Sequence, residues 1–239
     1  MQKNSYSLSR KMAAWGVHLF TSSGILAGFM ALLAISDGEF REAALWLILS
    51  QFIDGFDGIL ARWVKVESVL PFMSGKTIDM VVDFATYAIL PAYFIYESGI
   101  MAAPLNGIAT AVILMVSAMY YGKDGMISDD YHFVGFPVMW NMVAFYLYFV
   151  LSLSPIANFI VIIVLGILHF VPIKFAYPSR ATRLRWLSLP LGTALIAIGL
   201  WIVWIHPVSN PLLNAAALLL LGYFGALAAI DTFKEVLRF

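Results

Sequence analysis

Apolar stretches long enough to cross a bilayer recur along almost the whole chain and leave it few other ways to fold. A span needs roughly 20 mostly apolar residues. Such stretches run approximately over residues 13–35, 43–62, 77–96, 102–121, 137–152, 155–173, 187–206 and 212–231. Charged residues make up 12% of the 239 and apolar ones 62%, where a soluble domain carries about 25% charge. A soluble core of this size would lack polar surface to cover it. The sequence therefore predicts an all-α integral membrane protein of about eight transmembrane helices, forming one polytopic domain over 1–239. Ser154-Pro155 is a turn signal, so 137–173 is expected to be a tight hairpin rather than one long helix. The first stretch follows Lys3, Arg10 and Lys11 as a signal peptide would. It is too long for an h-region, lacks a convincing cleavage site and is followed by more membrane, so it is expected to stay as a span. The mixed apolar and basic residues from Lys3 to Lys11 suit a position along the membrane surface.

Orientation follows from where the basic residues fall. With both termini on one side, that side receives Lys3, Arg10, Lys11, Arg62, Lys65, Lys76, Lys123, Lys174, Arg180, Arg183, Arg185, Lys234 and Arg238, and the other side Arg41 alone. Both termini are accordingly expected in the cytoplasm. Basic and acidic residues balance at 14 each, so no global charge points to nucleic acid. The absence of cysteine excludes disulfides, thiolate zinc sites and cysteine nucleophiles.

Four aspartates break this pattern. Asp54 and Asp57 interrupt the second apolar stretch, Asp79 and Asp83 the third. At a helix centre an ionised Asp costs roughly 2.5–3.5 kcal/mol on insertion scales. At about 100° per residue, Asp54, Asp57, Gly58, Ala61 and Arg62 share an arc of roughly 140°. Gly75, Asp79, Asp83 and Thr86 make a narrower stripe on the next helix. Consecutive helices are antiparallel, so the two stripes can meet. Carboxylates about 4 Å apart repel by around 4 kcal/mol at an effective dielectric near 20, and Arg62 and Lys76 supply only two opposing charges. Divalent cations would resolve the excess, and an oxygen-only ligand set favours Mg²⁺ or Mn²⁺ over Zn²⁺. Gly58, Ala61 and Gly75 read either as helix-packing residues or as a slot for a flat or phosphorylated ligand. Hard cations, a fixed Arg and such a slot suggest a diphosphate substrate.

Written as Asp54-x2-Asp57-Gly58-x2-Ala61-Arg62, twelve residues, then Gly75-x3-Asp79-x3-Asp83, this stretch resembles the signature of the CDP-alcohol phosphotransferases, membrane enzymes of phospholipid synthesis. The family usually has about eight or nine residues in that gap. The longer gap and eight spans rather than six resemble the branch that uses choline as acceptor. Phe133-Val-Gly-Phe-Pro137 is similar to a Gly-x-Pro stretch of the related phosphatidylserine synthases. The strong resemblance covers about residues 50–90 and a weaker one extends to roughly 175. A catalytic core over about 13–175, with an additional two-helix region over about 187–231, is expected on this basis.

The resemblance implies transfer of a phosphatidyl group from CDP-diacylglycerol to choline with release of CMP. Asp54, Asp57, Asp79 and Asp83 would hold two metal ions, Mg²⁺ or Mn²⁺, and Asp83 would also act as general base. Gly58, Ala61 and Gly75 would make room for the nucleotide, with Arg62 near its phosphates and Thr21 and Ser23 meeting it from the first span. A homodimer is expected by resemblance alone, as is a bacterial inner membrane with the active site facing the cytoplasm.

Choline has no proton on nitrogen, so a site must hold it by charge and aromatic faces. Tyr87, Tyr131, Phe136 and Trp140 are candidates, with Glu67, Asp129 or Asp130 as distant counter-charges. The same aromatic residues also read as interface anchors. Lys174, Arg180, Arg183 and Arg185 read as a positive-inside loop or as contacts to lipid phosphate, Arg183 and Arg185 above all. The four histidines show no ligand spacing and read as structural. Serine, glycerol or inositol in place of choline is the nearest alternative. A divalent-cation transporter is disfavoured, because the outer halves of the acid-bearing helices read Leu45-Trp-Leu-Ile48 and Ala88-Ile-Leu90.

Overall fold

The computed structural model describes residues 6–130, 132–176 and 185–236. Its helices are α1 (Leu8–Ser36), α2 (Phe40–Val64), a single turn α3 (Val66–Val69), α4 (Gly75–Asp83) and α5 (Leu90–Glu97). They continue with α6 (Leu105–Tyr121), α7 (Trp140–Phe145), α8 (Pro155–Leu168), α9 (Arg185–Ile205) and α10 (Pro211–Val236). A π-helical segment, Phe84–Ile89, joins α4 to α5 into one rod, and a second, Tyr146–Val150, extends α7. Each of the eight apolar stretches thus contains a helix. Among the described residues five rods are long and apolar enough to cross a membrane: Leu8–Ser36, Phe40–Val64, Gly75–Glu97, Trp186–Ile205 and Pro211–Lys234. Leu105–Tyr121, Trp140–Val150 and Pro155–Leu168 are shorter apolar helices. The chain is a multi-pass membrane protein.

Local chemistry sets the ends. Ser7 caps α1, its side chain accepting from the Arg10 N–H, so from Leu8 onward the basic leader is already the first turn of the long helix rather than a separate surface segment. Ser154 caps α8 through the Ala157 N–H, with Pro155 in the first helical position. The expected break therefore exists. The tight hairpin does not close on itself, because α8 packs along α6 and the α7 rod packs on α5.

Two short strands add to the all-α expectation. β1 (His132–Val134) pairs antiparallel with β2 (Lys174–Ala176). Gly135 follows at φ +97°, where its Cα lies directly against the His169 carbonyl and leaves no room for a Cβ. The Phe136 N–H then bonds the Leu168 carbonyl at 2.8 Å, so the Gly-x-Pro stretch crosses the end of α8.

The core that positions the site is built on α1. Ala14, Val17, Thr21, Gly24, Ala27, Gly28 and Ala31 make its buried face. A Cβ on Gly28 would stand 2.9 Å from Leu90 and 3.2 Å from Thr86, so the bare glycine lets α1 approach the α4–α5 rod closely. The longer gap after Arg62 also acquires a function in packing. Val66 and Val69 of α3, with Leu70 just after it, fold back and bury against Ala14 and Val17, sealing one end of the α1–α2 pair.

Candidate active site

Asp54 and Asp57 reach the site from α2, Asp79 and Asp83 from α4. Asp54, Asp57 and Asp79 each offer an oxygen, and these atoms lie within 4.8 Å of one another. Asp83 stands beside Asp54 within hydrogen-bond reach, as Asp79 does beside Asp57. The opposing stripes expected from the helical spacing therefore face each other, and all four carboxylates come from one chain.

The π-helical segment changes one part of that expectation. A wider turn advances each residue by a smaller angle, so the stripe of Asp79 and Asp83 continues into Tyr87 instead of Thr86. The Tyr87 hydroxyl donates to Asp54 Oδ2 at 2.7 Å. Thr86 turns to α1, bonds the Val82 carbonyl and packs on Gly28. Such π-bulges are frequent at functional sites.

Thr21 sits on the buried face of α1 with its hydroxyl in reach of Asp57 as well as of the Val17 carbonyl. Ser23 bonds the Phe20 carbonyl at 2.6 Å. The Arg62 guanidinium folds back over Gly58, its Nη1 3.2 Å from where a Cβ would be, and its charge reaches Asp57. Ala61 packs on the cluster of Val66, Val69 and Leu70. Gly75 lies under the ring of His18, whose Cε1 is 3.2 Å from the missing Cβ.

The choline candidates are scattered. Tyr87 touches the carboxylates. Trp140 is fully buried elsewhere, stacked on His169 at 5.3 Å, with its indole N–H bonded to Ser117 at 2.9 Å. Phe136 packs against both rings. Asp130 pairs with Lys174 at 3.0 Å. Tyr131, Arg180, Arg183 and the side chain of Arg185 lie outside the described residues. Two residues were missed from the sequence. Tyr121, packed on Phe84 at 5.8 Å, lies within electrostatic reach of Asp83. His18 is buried at the site's edge with its Nε2 lacking a hydrogen-bond partner. His18 stands one turn before Thr21, so a shared helix face was the available signal.

The donor set fits hard divalent cations. Three oxygen donors converge, the Asp83 Oδ1 is buried without a hydrogen-bond partner, and like charges at this separation repel by about 3.5 kcal/mol per pair at an effective dielectric near 20. Arg62 alone does not balance them.

The comparisons with known proteins agree with this geometry. The model of the CDP-alcohol phosphatidyltransferase family matches residues 18–227, and the chain belongs to that family. It is similar to the phosphatidylcholine synthase of Rhizobium meliloti (strain 1021), at 40% identity over 84% of this chain and 83% of the relative. The phosphatidylcholine synthase of Agrobacterium fabrum is 41% identical over 82% of this chain and 81% of its own. That of Pseudomonas aeruginosa is 39% identical over 85% of both.

Proposed function

We propose that the chain is a phosphatidylcholine synthase that transfers the phosphatidyl group of CDP-diacylglycerol to choline and releases CMP. The observation that carries this reading is the convergence of Asp54, Asp57 and Asp79 within 4.8 Å, with Asp83 beside them, in a chain about 40% identical to phosphatidylcholine synthases over most of its length. The family depends on divalent metal. Asp54, Asp57, Asp79 and Asp83 would hold two ions, Mg²⁺ or Mn²⁺, which when bound neutralise charge on the diphosphate and favour departure of CMP.

The protein's own groups supply the rest. Asp83 takes the choline hydroxyl proton on its free Oδ1, since an alcohol is a weak nucleophile until that proton has a nearby acceptor. The choline oxygen then bonds to the phosphorus that carries diacylglycerol, and the bond from that phosphorus to the oxygen of CMP breaks. Tyr87 orients Asp54 through its hydroxyl. Thr21 and Arg62 face the nucleotide and its phosphates, beside the space left by Gly58. Gly75, under the His18 ring, keeps α4 close to α1, and Gly75 and Ala61 complete the room for the nucleotide. Choline contact is assigned to Tyr87, Tyr131 and Trp140, and the geometry supports Tyr87 over the enclosed Trp140. Arg183 and Arg185 are assigned to lipid phosphate. The eight helices as spans, both termini in the cytoplasm, and a site facing the cytoplasm from a bacterial inner membrane agree with the thirteen-to-one distribution of basic residues.

Offering choline, serine, glycerol and inositol separately with CDP-diacylglycerol, and identifying the lipid by mass spectrometry, tests the reading. Phosphatidylcholine with matched CMP is expected, and a different phospholipid would reassign the acceptor. Metal flux across sealed vesicles without CMP release would point to transport.

A further inference from the structure

A second feature begins one helical turn from the carboxylates and leads away from them. On α2, Leu47 and Gln51 share a face with Ala44 and Ile48 and line a cleft between α2, the α7 rod and α9. Empty space in the cleft and its open mouth comes to about 540 Å³. Helices wall it on three sides, so it is a slot rather than a closed chamber. Its polar lining is Gln51 and Asn141, whose Nδ2 donates to Gln51 Oε1 at 3.4 Å. Beyond them the walls are apolar, with Phe145 facing Gly199 of α9.

We propose that this slot takes one acyl chain of the lipid substrate, with the Gln51 and Asn141 amides at its mouth and α9 as its third wall. The proposal rests on the reading of CDP-diacylglycerol as substrate. Gln51 precedes Asp54 by three residues, about 4.5 Å along the helix axis. A diacylglycerol whose diphosphate is held at Asp54 therefore brings its ester groups to the amide pair. Asn141 is buried and Gln51 half-buried, so the Gln51 amide N–H groups stand at the mouth as donors, and ester carbonyls are acceptors of matching chemistry. The hydrocarbon then continues between Leu47, Phe145 and Ile196. The proposal gives α9 a task that the carboxylate site does not require of it.

Gly199 is the place to test it. A Cβ there would meet the Phe145 ring at 3.5 Å, an ordinary contact, so the Cβ of Gly199→Leu is accommodated and its branched end competes with a chain for the space beside Phe145. Phe145 lies four residues past Asn141, about 6 Å along the axis, a depth that a hexanoyl chain barely reaches and an oleoyl chain passes. With the purified full chain and choline, the ratio of rates on dioleoyl to dihexanoyl CDP-diacylglycerol is expected to fall about tenfold in Gly199→Leu, the scale of steric discrimination in an apolar pocket. Ile196→Ala, which widens the same wall, is expected to raise the rate on the branched diphytanoyl substrate relative to dioleoyl, and it carries the test if the first variant does not fold. Unchanged ratios in both variants, including an equal loss on all lipids, would overturn the slot and leave only an annular lipid beside α9. Wild-type protein that releases no CMP with choline from any of these lipids would instead overturn the proposed function.

Discussion

Among the described residues, two clusters of acidic side chains differ in their cations. In the first, Asp54, Asp57, Asp79 and Asp83 crowd together with Arg62 as the nearby positive charge. In the second, Asp130 pairs with Lys174 at 3.0 Å and His132 lies 3.5 Å from Asp231 of α10. The Lys174 N–H also bonds Thr232 at 2.8 Å, so this cluster ties the β-ribbon to the last helix. Partial burial pushes the Asp130 carboxyl up, but the Ser128 hydroxyl and the Lys174 ammonium outweigh it and hold it at about 2. A matched acid fastens the fold. Unmatched acids kept together against their repulsion imply a ligand that is itself cationic.

The largest effect that would break this contrast comes from removing metal. Chelation is expected to abolish CMP release, and added Mg²⁺ or Mn²⁺ to restore it, as followed by nucleotide chromatography. Asp83→Asn comes next. Loss of the base is expected to lower kcat on the order of a thousandfold, while CDP-diacylglycerol binding by equilibrium titration, with three of the four metal-holding carboxylates kept, weakens far less than turnover. Retained turnover would remove Asp83 from that role. Tyr87→Phe deletes one hydrogen bond to a charged group, a loss of about 1.5–3 kcal/mol, and is expected to reduce kcat by about tenfold to a hundredfold.

The smallest effect belongs to the matched cluster. Asp130 is more than half exposed, so Asp130→Asn is expected to cost at most about 1 kcal/mol of stability. The sign follows from the lowered pKa. The Asp130 contribution is fully present above the ordinary carboxylate value of 3.8 and is lost as pH falls through about 2. Thermal unfolding across that range, with wild type and variant converging at the acid end, checks it.

The sequence made the site more legible than the packing. Asp54, Asp57, Asp79 and Asp83 stood out because charge inside apolar stretches has a cost, and helical spacing put them on two facing stripes. Ser154-Pro155 likewise announced its helix start. Thr86 was misplaced because a regular turn was assumed where the π-helical segment lies, and a π turn leaves no pattern in one sequence. Trp140 could be read as an aromatic near a helix end, but its partners Ser117 and His169 are distant in the chain. The β-ribbon was missed because two three-residue strands separated by some forty residues have too little periodicity to detect. Gln51 and Asn141 are ninety positions apart, and only the fold brings them together.

Direct Mn²⁺ binding to purified wild type, Asp79→Asn and Asp130→Asn tests the central claim most closely. Wild type and Asp130→Asn are expected to bind saturably and alike, with Asp79→Asn at least about tenfold weaker, since losing even a group that only supports a ligand costs about tenfold or more. Equal affinity in Asp79→Asn and wild type would contradict the assignment of the carboxylate cluster as the metal-holding centre.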